Sequence, residues 1–474
     1  MLIRSPAFWL VFALIGALVV FNLRPAMTLM RVFLERNQPA VSLPERPVPK
    51  DPGEARLQDL DDLAELPKLD RSFTPETRQA FEDELAFVRT KAIYMSPATF
   101  AMEVSRLVAM AGNAHTTVNP AQRARRFRRI PLRFAWFSDG LRVVRAAAPF
   151  VDLLGARVAA INGQSVDETV RRILPFVSGT EEHAQAYILP ILESPSLLKG
   201  IWPGVDEDRL ELRLALPEGI VVDRFIQSEP VGPDPFAIRP MTVIGPTQVA
   251  GQETKWSSVL KPDANFPLSL RDPDRSVFPA PLEEGGLYVR LSANQDDDKG
   301  PLRDQLAAIL NRKPADGWRW IVLDLRFNNG GDVSKAAEFS RRLPDMLREG
   351  GSIWILTGNA TFSAAIVTAA RVKYYGGDKV HIVGEKVGDR GQFWAEGGAP
   401  LVLRNSGIAV FYADFMYDWE NGCNSLTRCY PLEFLYGVAV GDLSPQETVA
   451  WKFSDYAEGR DTVLERVREL ALGR

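Results

Sequence analysis

Cysteine is almost missing: the 474 residues hold two, Cys423 and Cys429, within CNSLTRC. A redox CxxC or a zinc centre needs tighter spacing and more ligands. Histidine is nearly as scarce, at three. There is no HExxH and no paired set of zinc ligands, so no metal is expected. GxxxxGK[ST] is absent, which leaves no P-loop. GxSxG is absent too, and with it the α/β-hydrolase elbow. Charge of one sign is not in large excess. The net −4 gives the chain no general attraction to nucleic acid. No internal repeat is visible.

What is present suits a chain of two or three domains with proper cores: 46% apolar residues, 24% charged, 35 Gly and 34 Pro. One long apolar run exists. Ser5–Leu23 carries no charge over 19 residues, close to the roughly 20 that cross a bilayer. No small-x-small cleavage site follows it, which favours an uncleaved signal anchor. Arg24, Arg31 and Arg36 follow the span and, taken alone, would stay in the cytoplasm. The two cysteines argue the other way, since a disulfide closing a short loop belongs to an oxidising compartment. Reduced loop cysteines are the alternative. Arg123–Arg129, RARRFRR, is the one basic cluster. It reads as a solvated turn and strand edge, or as a contact for anionic lipid or an acidic partner.

Periodicity divides the chain. The anchor occupies 1–36 and a proline-rich linker 37–54. A helical domain over 55–129 has apolar residues at three- and four-residue spacing. A β-rich region covers 130–228, with two short strands about Ser138-Asp139-Gly140 and a turn at Asn162-Gly163. A loop-rich connection spans 229–280. From 281 to 445 strands and helices alternate, which implies a mostly parallel sheet with ligands at the carboxyl ends of its strands. A helical tail covers 446–474.

Two junctions in the alternating region stand out. Ile321–Asp332, IVLDLRFNNGGD, and Gly358–Ala365, GNATFSAA, each run from strand through turn into helix. The first offers glycine amides and the second a serine, Ser363. Free N–H groups at a helix start favour negative charge, and a hydroxyl beside them suits acyl transfer. By itself Ser363 also reads as an exposed helix cap. Of the histidines, His381 sits in a strand and is expected to pack. His183 lies in the polar TEEHAQAY and is expected to face solvent. His115, in GNAHTTVNP, occupies a loop after a helix, where a base could work.

From His115 to about Trp419 the sequence resembles the C-terminal processing (tail-specific) serine peptidases, which share a crotonase-like core with the tricorn core proteases. The DLRxNxGG block is matched by Asp324–Gly331, and T-x-S-[AS]-A by Thr361–Ala365. GExxGxxxxxxxE is matched by Gly384–Glu396, and the LxNSGxxV hairpin by Leu403–Val410. The D-G-H-T element looks like Asn113–Thr116, NAHT, and a PDZ-like segment like Ile161–Glu168. The resemblance implies an α/β fold: a crotonase-like core preceded by a helical domain and a small PDZ-like β-containing region. It implies Ser363 as nucleophile, with the amides of Ala364 and of Gly330 or Gly331 as the oxyanion hole.

One branch of the family places a lysine base after the GE strand. Here that turn reads VGDRGQF, and Arg390 stands at or beside the lysine's place. A guanidinium stays protonated and cannot be a base. Lys386 aligns with a non-catalytic position. The tricorn-like branch instead uses an upstream histidine and a downstream glutamate. His115 and Glu420, 57 residues past Ser363 (420 − 363), fit them. The expected protein is a membrane-anchored serine endopeptidase with its body outside the cytoplasm, periplasmic in a Gram-negative cell. It takes a peptide or protein substrate and no cofactor. Its PDZ-like segment lacks an evident GLGF-type loop for a peptide carboxylate. The alternative is a non-catalytic relative that binds a hydrophobic ligand or a partner protein. An acyl-CoA enzyme of the crotonase superfamily fits less well, because DLRxNxGG and TxSAA point away from it.

Overall fold

The computed structural model describes residues 41–230, 240–246, 256–262, 266–425, 427–430, 433 and 438–473. The expected anchor and the first four residues of the linker lie outside them. Among the described residues, no helix is long and apolar enough to cross a membrane.

A six-stranded sheet carries the C-terminal half. Its order is Glu447–Thr448, Val380–Gly384, Leu347–Thr357, Trp318–Asp324, Gly286–Leu291 and Val277–Leu282. All neighbours pair in parallel except the last two, which are antiparallel. A parallel sheet must be covered on both faces, and the period-two alternation of its strands does this. Ile321, Leu323, Ile353 and Ile355 pack with Leu306, Ile366 and Ala370 of the helices on one side. Trp320, Val322, Trp354 and Leu356 pack with Val463, Leu464 and Val467 of the C-terminal helix Thr462–Leu472 on the other.

A second, antiparallel sheet is built from Leu132–Phe137, Gly140–Ala147, Arg157–Ile161, Arg209–Ala215 and Val221–Gln227. In Arg209–Ala215 the buried residues are Leu210, Leu212 and Leu214, the alternation of a one-faced strand. Helices precede it as the spacing predicts, over Pro52–Leu63, Pro75–Lys91 and Pro97–Ala109. Ser96 caps the last of these by accepting from Thr99 N at 3.1 Å.

Two small ladders tie distant segments together. Thr117–Val118 pairs with Val410–Phe411, and Gln392–Glu396 pairs with Ala413–Asp418. Cys423 and Cys429 form a disulfide, with Cα atoms 5.7 Å apart.

Three expectations are corrected. The arginine cluster is solvated only in part and is not a turn: Pro120–Arg126 is a helix, Arg125, Arg126 and Arg128 are exposed, and Arg123 is buried, donating to Ser105 Oγ at 3.0 Å. Arg129 is buried against Glu193. The helix expected from Asp332 begins at Ala337 instead. Asp332 is held back because its N–H donates to Asn294 O at 2.9 Å and its Oδ1 accepts from Ser334 N at 2.8 Å. His183 does not face solvent; it is buried beside Phe362.

Candidate active site

Ser363 stands between strand and helix at the N-cap of Ala364–Gly376, with φ 54° and ψ −122°. A side-chain-bearing residue in this region is strained by about 1–3 kcal/mol. The serine does not use its hydroxyl to cap the helix, so the capping interpretation does not account for it. Neighbouring bonds hold the strain in place. Thr361 Oγ1 donates to Leu325 O at 2.8 Å and accepts from Gly358 N at 3.0 Å. Phe362 N donates to Asn328 O at 2.9 Å. The helix behind the serine has alanines at 364, 365, 369 and 370, all buried, and their size permits close approach to the sheet.

The glycine turn faces the serine. Gly330 (φ 108°) lies so close that a Cβ there would sit 2.6 Å from Ser363 Cβ and 3.3 Å from Ala364 N. Its own N–H is occupied, donating to Asn328 Oδ1 at 2.9 Å. Gly331 (φ 127°) presses on Asn294, where a Cβ would meet the carbonyl oxygen at 2.5 Å. The amides of Gly331 and Ala364 donate no hydrogen bond among the described residues. Of the two glycines expected as donors, Gly331 therefore has the N–H to offer and Gly330 supplies the close approach.

The DLR residues hold the turn in place. Arg326 binds Asp324 at 2.6 Å and Asp461 at 2.7 Å, all three nearly fully buried. Tyr288 Oη donates to Asp324 Oδ2 at 2.7 Å. Asp461 also caps the C-terminal helix. Burial pushes Asp461 upward, but the Arg326 charge and its hydrogen bonds outweigh this and hold the carboxyl below its usual range.

His115 reaches this region through its loop. Asn113, in place of the aspartate of the resembling motif, donates to Thr116 Oγ1 at 2.9 Å and accepts from Trp394 N at 3.3 Å. Thr116 in turn donates to Asp70 at 2.6 Å. Ala114, in place of the motif's glycine, fits because it packs on Gly179, where a Cβ would come within 2.6 Å of its own. The imidazole is stacked between Phe362 and Phe393, with centroids 4.3 Å and 5.1 Å away. Neither ring nitrogen has a hydrogen-bond partner, so no bond joins His115 to Ser363. Burial, then the His183 charge, lowers its pKa to about 3. Burial lowers His183 to about 4. Both rings are neutral at pH 7.

Glu420 is exposed and lies over Gly391; no ion pair or hydrogen bond joins it to His115. Asp389 Oδ2 faces His115 Nδ1 instead, at 3.8 Å. Arg390 and Lys386 are exposed. Two residues near the serine were not foreseen. His183 is masked in the sequence by its polar neighbours, and Asp389 stands beside Arg390 in the turn where the resemblance places a lysine.

Beside Phe362 a cavity of about 540 Å³ opens, whose lining includes the aromatic side chains of Phe134, Trp136, Tyr187, Phe327 and Trp451 and the charged Arg326 and Glu385. His115, His183 and Asn359 contribute polar atoms.

No family model matches the chain, and no curated protein does. Solved structures do. Mature CPAF complexed with lactacystin matches at TM-score 0.54 and 13% identity, over 89% of this chain and 98% of that one. A CPAF point mutant matches at TM-score 0.56 and 13% identity, over 89% and 97%. The photosystem II D1 C-terminal processing protease is a looser match, at TM-score 0.34 and 14% identity over 83% and 93%, and adds nothing. At such identities the likeness shows fold alone: over 89% of its length this chain shares the overall fold of CPAF.

Proposed function

We propose that the chain is a serine peptidase in which Ser363 is the nucleophile. The observation that carries this is Ser363 itself, a strained serine at a helix N-terminus, next to the open amide of Ala364 and packed against Gly330 of the glycine turn, whose neighbour Gly331 also has an open amide. Strain of this kind persists where surrounding structure enforces it, and it clusters at reactive positions. The geometry supports acyl transfer. Ser363 Oγ attacks a carbonyl carbon, the two amides receive the developing oxyanion, and a base takes the hydroxyl proton. His115 is that base. It shares Phe362 with the serine turn and must shift within its aromatic sandwich to meet Oγ. The fold shared with CPAF supports the same reading, as do the sequence blocks around Asp324 and Thr361.

The cavity supports a substrate with an apolar side chain seated beside Phe362. The PDZ-like part, the anchor over 1–36 and a body outside the cytoplasm belong to the same proposal. The disulfide supports the compartment.

One observation favours a second reading: His115 is unbonded and boxed in by aromatic rings next to an apolar cavity, which suits a non-catalytic binder of hydrophobic ligands. Hydrolysis of unfolded casein by the purified chain separates the two. The proposal expects cleavage by the wild type that Ser363→Ala abolishes. Cleavage that survives Ser363→Ala would sink it.

A further inference from the structure

We propose that Asp389 is the positioning carboxylate of His115, in the place that sequence resemblance gives to Glu420. This rests on Ser363 being the nucleophile and His115 its base.

Asp389 Oδ2 and His115 Nδ1 face each other at 3.8 Å. Both atoms are buried and neither has a hydrogen-bond partner. The Asp389 side chain is only 7% exposed. A buried carboxylate oxygen and a buried ring nitrogen left unbonded burden the fold, and such a pair calls for an explanation. The stacking supplies part of it. Phe362 and Phe393 lie within 28° and 12° of the imidazole plane, so the ring is free to slide in its plane but not to tilt. A slide of about 1 Å closes the gap to hydrogen-bond length.

The carboxylate is also tied to the serine turn. Gly388 N donates to Thr361 O at 2.8 Å, and a Cβ on Gly388 would meet Asn359 O at 2.4 Å. Asp389 Oδ1 accepts from Arg390 N at 2.9 Å, which leaves Oδ2 for the histidine. Glu420, exposed over Gly391, has no such placement.

With Nδ1–H donated to Asp389, the Nε2 lone pair is the one available to Ser363. As the Ser363 Oγ–H bond breaks, the Nε2–H bond forms, and the positive charge on the imidazole is offset by the Asp389 carboxylate beside it. The charged and titratable groups around the pair are Arg390, next in the chain, and His183, across Phe362. Burial pushes Asp389 up to about 7, against its bond and attraction to Arg390. The carboxylate therefore forms across neutral pH while His115 stays neutral.

The test uses the full chain and a fluorophosphonate, whose labelling rate reports serine activation. The wild-type rate should rise through about pH 7 as Asp389 ionises. Asp389→Asn should lower the rate by about 10²–10⁴ and remove that rise. Asp389→Glu should recover part of it. The loss in Asp389→Asn should exceed that in Glu420→Gln by at least about tenfold.

Stability supplies a separate readout. A carboxyl raised in the folded state loses stability as pH climbs from its unfolded value to its folded one, so Asp389→Asn should melt higher than wild type at pH 8. Labelling lost together with a lower melting point would mean a structural role and overturn the proposal. So would wild-type labelling by Asp389→Asn with the loss moved to Glu420→Gln. If the wild type is not labelled at all, the serine reading itself falls, an outcome distinct from these.

Discussion

Ser363 carries two properties, and only one was legible in the sequence. Its position was readable, because a strand, a turn and a run of small residues precede a helix at TFSAA. Its φ of 54° was not, because strain is imposed by contacts far along the chain: Asn328, Leu325 and Gly330. Glycine adopts this conformation without penalty. Ser363→Gly should therefore raise the melting temperature by relieving about 1–3 kcal/mol of strain, while ending covalent labelling. Ser363→Ala should end labelling without that gain. Thermal unfolding of the two variants side by side checks this, and equal melting points would count against strain at the serine. The burial of His183 is illegible in the sequence for a related reason. Its neighbours in TEEHAQAY are polar, but one face of the helix Glu181–Tyr187 turns inward onto Phe362.

At the scale of elements, the two strand-to-helix junctions act as a pair held from behind. Arg326 joins the end of one strand to the cap of the C-terminal helix through Asp324 and Asp461. Arg326→Leu would leave two carboxylates buried without their cation, a change that costs about 3–5 kcal/mol and should appear as a lower urea midpoint. The sign of the acid response follows from Asp461. Its folded pKa lies below the unfolded one, so its stabilising contribution is present above the ordinary carboxylate range. That contribution is lost as pH falls toward the folded value, and Arg326→Leu should blunt this acid sensitivity. At the glycine turn the requirement is steric. Gly331→Ala would drive a methyl into Asn294 O and displace the open amide, costing about 10²–10³ in labelling rate. The turn was legible from NNGG, but the delayed helix at Ala337 was not. Periodicity shows where apolar residues recur, not where Asn294 and Ser334 take up the backbone and side chain of Asp332.

Across the whole molecule, the alternating strands and helices of the C-terminal half were readable because each carries its own period. The approach of His115 to the serine turn was not readable from pattern alone. It depends on Thr117–Val118 pairing with Val410–Phe411, and on Asn113 accepting from Trp394, contacts between segments nearly 300 residues apart. Only the resemblance at NAHT pointed there, and it pointed to Glu420 as well, which the fold leaves exposed. The central claim is that these segments converge to make Ser363 a nucleophile. Mass mapping after fluorophosphonate treatment tests it most directly. A single adduct on the peptide holding Ser363, lost when the chain is unfolded first and lost in His115→Ala, is the predicted result. No adduct on the folded wild type, or an adduct on another residue, would contradict the account.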